Sequence, residues 1–305
     1  MGKNIGLIDV DSHSNFPNLA LMKLSAWHKA KGDNVEFVQP LFGNYDLVYQ
    51  SKVFTFTPDY KSEINTMNLI QGGSGYGMNN FLIPEIEHIC PDYSLYNVSE
   101  AYGFLTRGCI RRCEWCIVPK KEGQLRQHAD ITEFLGDKKA AVLMDNNVLA
   151  SEWGLKQIEK IINLGIKIDF NQGLDARLIA NNPDIAELLS KVKWYKPLRM
   201  ACDTLEQMQS IAKATELLRH FGTTPSNYFI YVLVKDISDA LERVEFLRKL
   251  KLDPFAQPYR NFENNTVDKK AVCFSRWVNH KAIFNSVLWE NYKDNIKSKS
   301  ELGGI

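Results

Sequence analysis

The sequence predicts an α/β fold, and two observations carry that prediction. Short apolar runs alternate with stretches of helical spacing along most of the chain. Glycines punctuate them, most densely at Gly72, Gly73, Gly75 and Gly77. Strands that alternate with helices imply parallel sheets with helices on their faces.

Residues 1–97 are expected to form a Rossmann-like (flavodoxin-like) domain. Asn4 to Val10 is an apolar strand. Leu19, Leu21, Met22, Leu24 and Trp27 then recur at helical spacing over Asn18 to Ala30, and Gly32 stops that helix. Strands follow at Asn34 to Val38, Asp46 to Phe56 and Met67 to Gln71. The stretch from Asn79 to Tyr96, with Pro84 and Pro91, reads as a connection.

Residues 98–262 repeat one rhythm. Strands are expected from Ala101, Ala141, Ile166, Leu198, Tyr228 and Pro254, and helices from Asp130, Trp153, Pro183, Leu205 and Ser238. Six units of roughly 27 residues compare with roughly 31 per unit in an eight-fold barrel, so a partial (βα)6 TIM-like barrel is expected. Residues 263–305 form a tail in which Phe274, Trp277, Val278, Phe284 and Trp289 predict a docked helix.

With 45% hydrophobic and 24% charged residues among 305, disorder, collagen and coiled coil are poor explanations. Lysine and arginine number 37 against 36 acids, a formal charge of +1, so no whole-molecule field marks a nucleic-acid or membrane-surface binder, although a local basic patch stays open. No apolar run approaches the roughly 20 residues that span a bilayer, and the start lacks a signal peptide's apolar region. A cytoplasmic chain without membrane contact is therefore expected.

Of six cysteines, Cys109, Cys113 and Cys116 fall close together directly after the first barrel strand, while Cys90, Cys202 and Cys273 are scattered. In a βα barrel the loops after the strands build the active site. In a cytosolic chain such a cluster points to metal or catalysis rather than disulfides. Three thiolates can hold three corners of an iron–sulfur cubane and leave one iron open, whereas structural sites usually take four ligands. A zinc site completed by His128 or a distant cysteine, and three unrelated core thiols, are the alternatives.

This C-x3-C-x-aromatic-C pattern, with Trp115 before the third cysteine, resembles the signature of the radical S-adenosylmethionine (SAM) superfamily. The resemblance runs from about residue 100 to 260. It implies a [4Fe-4S] cluster on Cys109, Cys113 and Cys116, with SAM's amino and carboxylate groups on the open iron and Trp115 near the adenine. It further implies reductive cleavage of SAM to a 5′-deoxyadenosyl radical that takes hydrogen from a substrate, fed by an electron donor such as flavodoxin or ferredoxin. A nucleic-acid base, a peptide and a small metabolite are all open as substrates, and the catalytic residues beyond the cluster are unknown. Cys113-Glu114-Trp115-Cys116-Ile117-Val118-Pro119 also looks like the methylthiotransferase branch, where Lys121-Glu122-Gly123 here replaces an Arg-Gly pair. A methylthiotransferase- or methyltransferase-like modification enzyme and a non-catalytic metal-binding scaffold stand as alternatives.

Further candidates lie at strand ends. Asp145, Asn146 and Asn147 stand where the superfamily has a Gly-Gly-Glu-like motif that meets SAM's amino group, or they form a helix-capping loop. Gln172, Asp175 and Arg177 follow the third strand; Arg177 would pair with SAM's carboxylate or bridge to Asp175. Asp203 and Arg199 flank the fourth strand, and Gln257, Tyr259 and Arg260 close the sixth. Cys202 reads as a core residue. In the first domain, Asp11-Ser12-His13, Ser51-Lys52-Val53 and Gly72-Gly73 resemble a degenerate cobalamin-binding domain, with Phe16 and Val53 in place of a glycine and a leucine. Bound cobalamin and a domain that only caps the barrel both fit those residues.

Overall fold

The computed structural model describes residues 2–14, 16–223, 228–261 and 264–292. It is mixed α/β with parallel sheets, and the chain divides into two compact units, Met1–Ile168 and Asp169–Ile305. Among the described residues no helix is long and apolar enough to cross a membrane.

The first unit opens with β1 (Asn4–Asp9), α1 (Leu19–Ala30), β2 (Asn34–Phe37), β3 (Leu47–Ser51) and β4 (Leu69–Gly72), and its sheet has the all-parallel order β2-β1-β3-β4. The two-residue period of β1 builds both faces. Ile5 and Leu7 pack with Leu21, Leu24 and Ile86 on one side, while Ile8 packs with Tyr45 and Val48 on the other. Asn18 caps α1 by accepting from Leu21 N at 3.2 Å, and Gly32, at φ +81°, lets the chain leave it. The chain leaves β1 for β2 on one side and later adds β3 on the other. That reversal is where parallel sheets open a crevice at their carboxyl ends. The third strand stops at Ser51, short of the expected Phe56, because Val53, Phe54 and Phe56 are exposed and the Asp11 carboxylate takes the Val53 N–H and the Thr57 hydroxyl.

Next come α2 (Pro84–Glu87), β5 (Ala101–Gly103), β6 (Thr106–Arg107), α3 (Val118–Lys121), β7 (Arg126–Gln127), α4 (Ile131–Leu135), β8 (Ala140–Leu143) and α5 (Glu152–Leu164). Strands β5 and β8 pair in parallel, and β9 (Lys167–Phe170) runs across the boundary between the units. The first unit thus continues past residue 97, where the sequence suggested a break. Polar side chains knit the connection to both neighbours. Asp92 accepts from Ser25 and Lys29 of α1, each at 2.7 Å, and Tyr96 Oη donates to Asp9 at 2.6 Å. Toward β5, Tyr93 Oη accepts from Tyr102 N at 3.1 Å.

The second unit contains α6 (Ala176–Asn181), α7 (Pro183–Ser190), β10 (Lys193–Trp194), β11 (Leu198–Ala201), α8 (Gln207–His220), β12 (Tyr228–Val234), α9 (Ile237–Lys249), β13 (Asp253–Pro258), α10 (Lys269–Asn279) and α11 (Lys281–Ser286). Its parallel sheet has the order β11-β12-β13. Trp277 is fully buried against Phe274, Phe284 and Trp289, and its indole N–H reaches Val287 O at 2.9 Å. This is the docked tail that the apolar spacing predicts, and its residues beyond 292 lie outside those described. The expected strands of residues 98–262 all occur. The short α2, β6, α3, β7, α6 and β10 do not announce themselves in the sequence, since elements of two to six residues are too brief for a period to emerge.

Candidate functional site

The three clustered cysteines lie on a loop that the chain closes at its base. Strands β6 and β7 pair antiparallel, Thr106 opposite Gln127 and Arg107 opposite Arg126, so the residues between them leave and return at one point. Gly108 turns the chain out at φ +82°, and a Cβ there would stand 2.3 Å from Gln124 O, so the approach of the two arms needs glycine. Cys109 N donates to Gly123 O at 3.4 Å, and Glu122 Oε1 stands 3.5 Å from the Arg107 guanidinium.

Within the loop, residues 108–117 form neither helix nor strand, and Cys109, Cys113, Trp115 and Cys116 are all half-buried. None of the six cysteines is in a disulfide. Cys109 Sγ accepts from Arg111 N at 3.3 Å and from the Asn147 amide at 3.5 Å, and Cys116 N donates to Cys113 O at 3.1 Å. N–H groups aimed at sulfur stabilise thiolate charge, which is what a metal-bound cysteine carries. Among the described residues no three His, Cys, Asp or Glu side chains converge tightly enough to hold a metal ion. The donor chemistry therefore suits a thiolate-held cluster, while convergence of the three sulfurs requires the loop to change its torsions. Residues 108–117 carry no helical or sheet ladder that such a change would break.

Asp145, just beyond β8, is buried and braces the base of this loop. Its carboxylate accepts from Thr106 N at 2.6 Å, Thr106 Oγ1 at 2.7 Å and Leu105 N at 3.1 Å. Burial pushes its carboxyl up to about 6, against the pull of those donors. The carboxylate is thus engaged by the β5–β6 backbone. Asn146 differs, since its Oδ1 is buried and meets no hydrogen-bond donor among the described residues. A buried acceptor without a donor is costly, which makes it a marker for a missing partner.

Beside the loop base sits a charged knot that the sequence did not suggest. Glu87 holds Lys23 at 3.1 Å, His128 at 3.2 Å and Arg107 at 3.7 Å. His128, considered above as a fourth ligand, spends its Nε2 on Glu87. In the sequence Glu87 is only one of three acids in a segment otherwise read as a connection.

The remaining candidates belong to the second unit. Gln172 is exposed in the turn after β9. Asp175 caps α6 through Arg177 N at 3.2 Å and takes the Arg177 fork at 2.8 and 3.3 Å, which is the bridging role among the two expected. Asp203 is half-buried, desolvation raises its carboxyl, and it accepts from Leu233 N at 3.0 Å. Arg199 pairs with Asp169, Gln257 is exposed, and Arg260 donates to Asn265 O at 2.8 Å. Cys202 is fully buried and its thiol is pushed up to about 12 by that burial, as befits a core residue.

Of the residues that resemble a cobalamin-binding domain, Asp11, Ser51 and Gly73 are engaged in the first unit's own structure. Asp11 holds Val53 and Thr57, Ser51 Oγ accepts from the Asn18 amide at 2.9 Å, and Gly73 packs so closely on Lys52 O that a Cβ would stand 2.3 Å from it. His13 lies exposed in a 3-10 turn. No model of a known protein family matches the chain, and no curated protein does.

Proposed function

We propose that the chain is a radical SAM-type enzyme, with a partial βα barrel after a Rossmann-like domain, whose Cys109, Cys113 and Cys116 would hold a [4Fe-4S] cluster. One observation carries the reading: three cysteines spaced four and three apart, with Trp115 among them, share one loop pinched shut at its base. When bound, such a cluster supplies the electron that cleaves the carbon–sulfur bond of SAM, and a flavodoxin or ferredoxin would deliver that electron.

The chain's own residues have separable tasks in this reading. Asp145 anchors Leu105 and Thr106, and so positions the loop without touching SAM. Asn146 Oδ1 is an acceptor that meets no donor among the described residues, which suits the N–H groups of SAM's amino group. The Arg111 N–H and the Asn147 amide donate to Cys109 Sγ and would orient it. The engaged carboxylate, hydroxyl and glycine of the first sheet fit a structural role, and cobalamin forms no part of the proposal.

Anaerobic reconstitution with iron and sulfide tests this. A brown protein with about four irons per chain, a cluster signal by electron paramagnetic resonance after reduction, and release of 5′-deoxyadenosine from SAM are expected. Cys109→Ser, Cys113→Ser and Cys116→Ser should each abolish the signal. Asn146→Ala should keep the iron and raise KM for SAM. A colourless, zinc-loaded chain that leaves SAM intact would refute the reading.

A further inference from the structure

A cavity of about 490 Å³ opens in the first unit at the carboxyl ends of β1 and β2. Such volume falls inside the roughly 300–1,000 Å³ of small-molecule sites, and the location is where open parallel sheets bind ligands. None of its lining residues belongs to the cysteine loop, so the inference does not rest on the proposed function.

Its walls are aromatic. Phe16, Phe37, Tyr60 and Tyr96 line it, with the Phe37 ring edge-on to Tyr96 at 5.3 Å. Phe16 and Phe37 stay 40% and 37% exposed, large apolar rings left at the mouth of a cavity whose floor is the buried pair Leu7 and Ile8. Flat ring faces at an open mouth suit a flat ring ligand.

Of the four polar side chains, Asp9 and Tyr96 present acceptors, while the Ser12 and Tyr60 hydroxyls donate as well as accept. Asp9 stands in the wall with its carboxylate between Tyr96 Oη at 2.6 Å and Asp11 N at 3.1 Å. Because Tyr96 spends its proton on Asp9, its oxygen presents only lone pairs to anything else. The lining contains no lysine or arginine. The β1–α1 connection, Val10 to Asn18, contains no glycine to let a phosphate approach the backbone. An anion is disfavoured on both counts, and a neutral group rich in N–H donors is favoured.

The geometry points to a binding site for an uncharged, flat heteroaromatic ring with a donor-rich edge, of which guanine in a nucleoside is the common example. Its N1–H and 2-amino group would donate toward Asp9 while its faces meet Phe37 and the neighbouring rings. Adenine has a donor beside an acceptor on the same edge and would set a lone pair against the carboxylate.

Equilibrium binding of guanosine, adenosine and guanosine 5′-monophosphate to the full chain tests this. Guanosine should bind, with adenosine and the monophosphate each weaker by about tenfold or more. Asp9→Asn and Phe37→Ala should weaken guanosine by a similar factor. Phe37 is exposed enough for the second variant to fold, which thermal unfolding checks. Cys109→Ser should leave guanosine binding unchanged, which keeps this site distinct from the cysteine loop. The proposal is overturned if millimolar guanosine does not bind, if adenosine or the monophosphate binds equally well, or if Phe37→Ala binds like the parent chain.

Discussion

Asp145→Asn should change how stability depends on pH, because this buried carboxyl ionises in the folded chain near 6 and in the unfolded chain near 3.8. Below 3.8 the group is protonated in both states and contributes no pH dependence. Between those values the folded state binds more protons, so unfolding becomes easier as pH rises, and above about 6 the loss is complete. Each pH unit of separation is worth about 1.4 kcal/mol, so the full loss is on the order of 3 kcal/mol, and roughly 2–3 kcal/mol of it falls between pH 4 and 7. Asparagine keeps the size and one acceptor oxygen but does not titrate. Its amide nitrogen would face the Leu105 N–H, so the variant starts out less stable at pH 4. The gap between parent and variant should then narrow by roughly 2–3 kcal/mol as pH rises to 7. Urea unfolding of both proteins at half-unit pH steps measures that difference, in which every other titrating group cancels. A gap that stays flat, or widens with pH, would refute the account of Asp145 as a carboxyl raised by burial.

Glu87 should behave in the opposite sense. Burial pushes it up, but the His128 hydrogen bond and the charges of Lys23 and Arg107 outweigh that and bring it down to about 2. Its contribution is therefore present above about 4.5 and lost as pH falls through about 2, and Glu87→Gln should flatten that acid limb. The same variant removes the charge facing the buried Lys23 ammonium, which keeps the backbone carbonyl of residue 87, and should lower stability at neutral pH by on the order of 3 kcal/mol in urea melts. Gly108→Ala meets both a left-handed backbone and the Gln124 carbonyl, so it should cost more than about 2 kcal/mol and lower iron uptake on reconstitution. Gly123→Ala, at φ +74° with open space for its Cβ, should cost only about 1 kcal/mol; equal effects would sink the role given to the close approach. Trp277→Ala should cost about 3–5 kcal/mol by leaving a cavity among Phe274, Phe284 and Trp289, measurable by thermal unfolding.

Local signals in the chain were enough for the longer elements. The apolar spacing of α1 and Gly32 specify one helix within a residue of where it lies, and Tyr228–Val234 is apolar enough to be a buried strand by itself. The cysteine spacing and Trp115 likewise suggest the proposed chemistry without reference to three dimensions, since residue spacing along a loop is a property of the chain. Residue type could not say whether a polar side chain at a strand end is available. Asp145 and Asn146 are neighbours of similar size, yet one carboxylate is consumed by Leu105 and Thr106 while the next side chain keeps a buried acceptor that meets no donor among the described residues. Arg177 and Asp175 turned toward each other, and Glu87 collected Lys23, Arg107 and His128 from separate parts of the chain. Those choices depend on which groups lose water together, and burial is set by packing between segments remote in sequence. The closure of the cysteine loop is of the same kind: two residues on either arm pair only once the fold has brought them side by side, and the glycine at Gly108 then becomes a requirement.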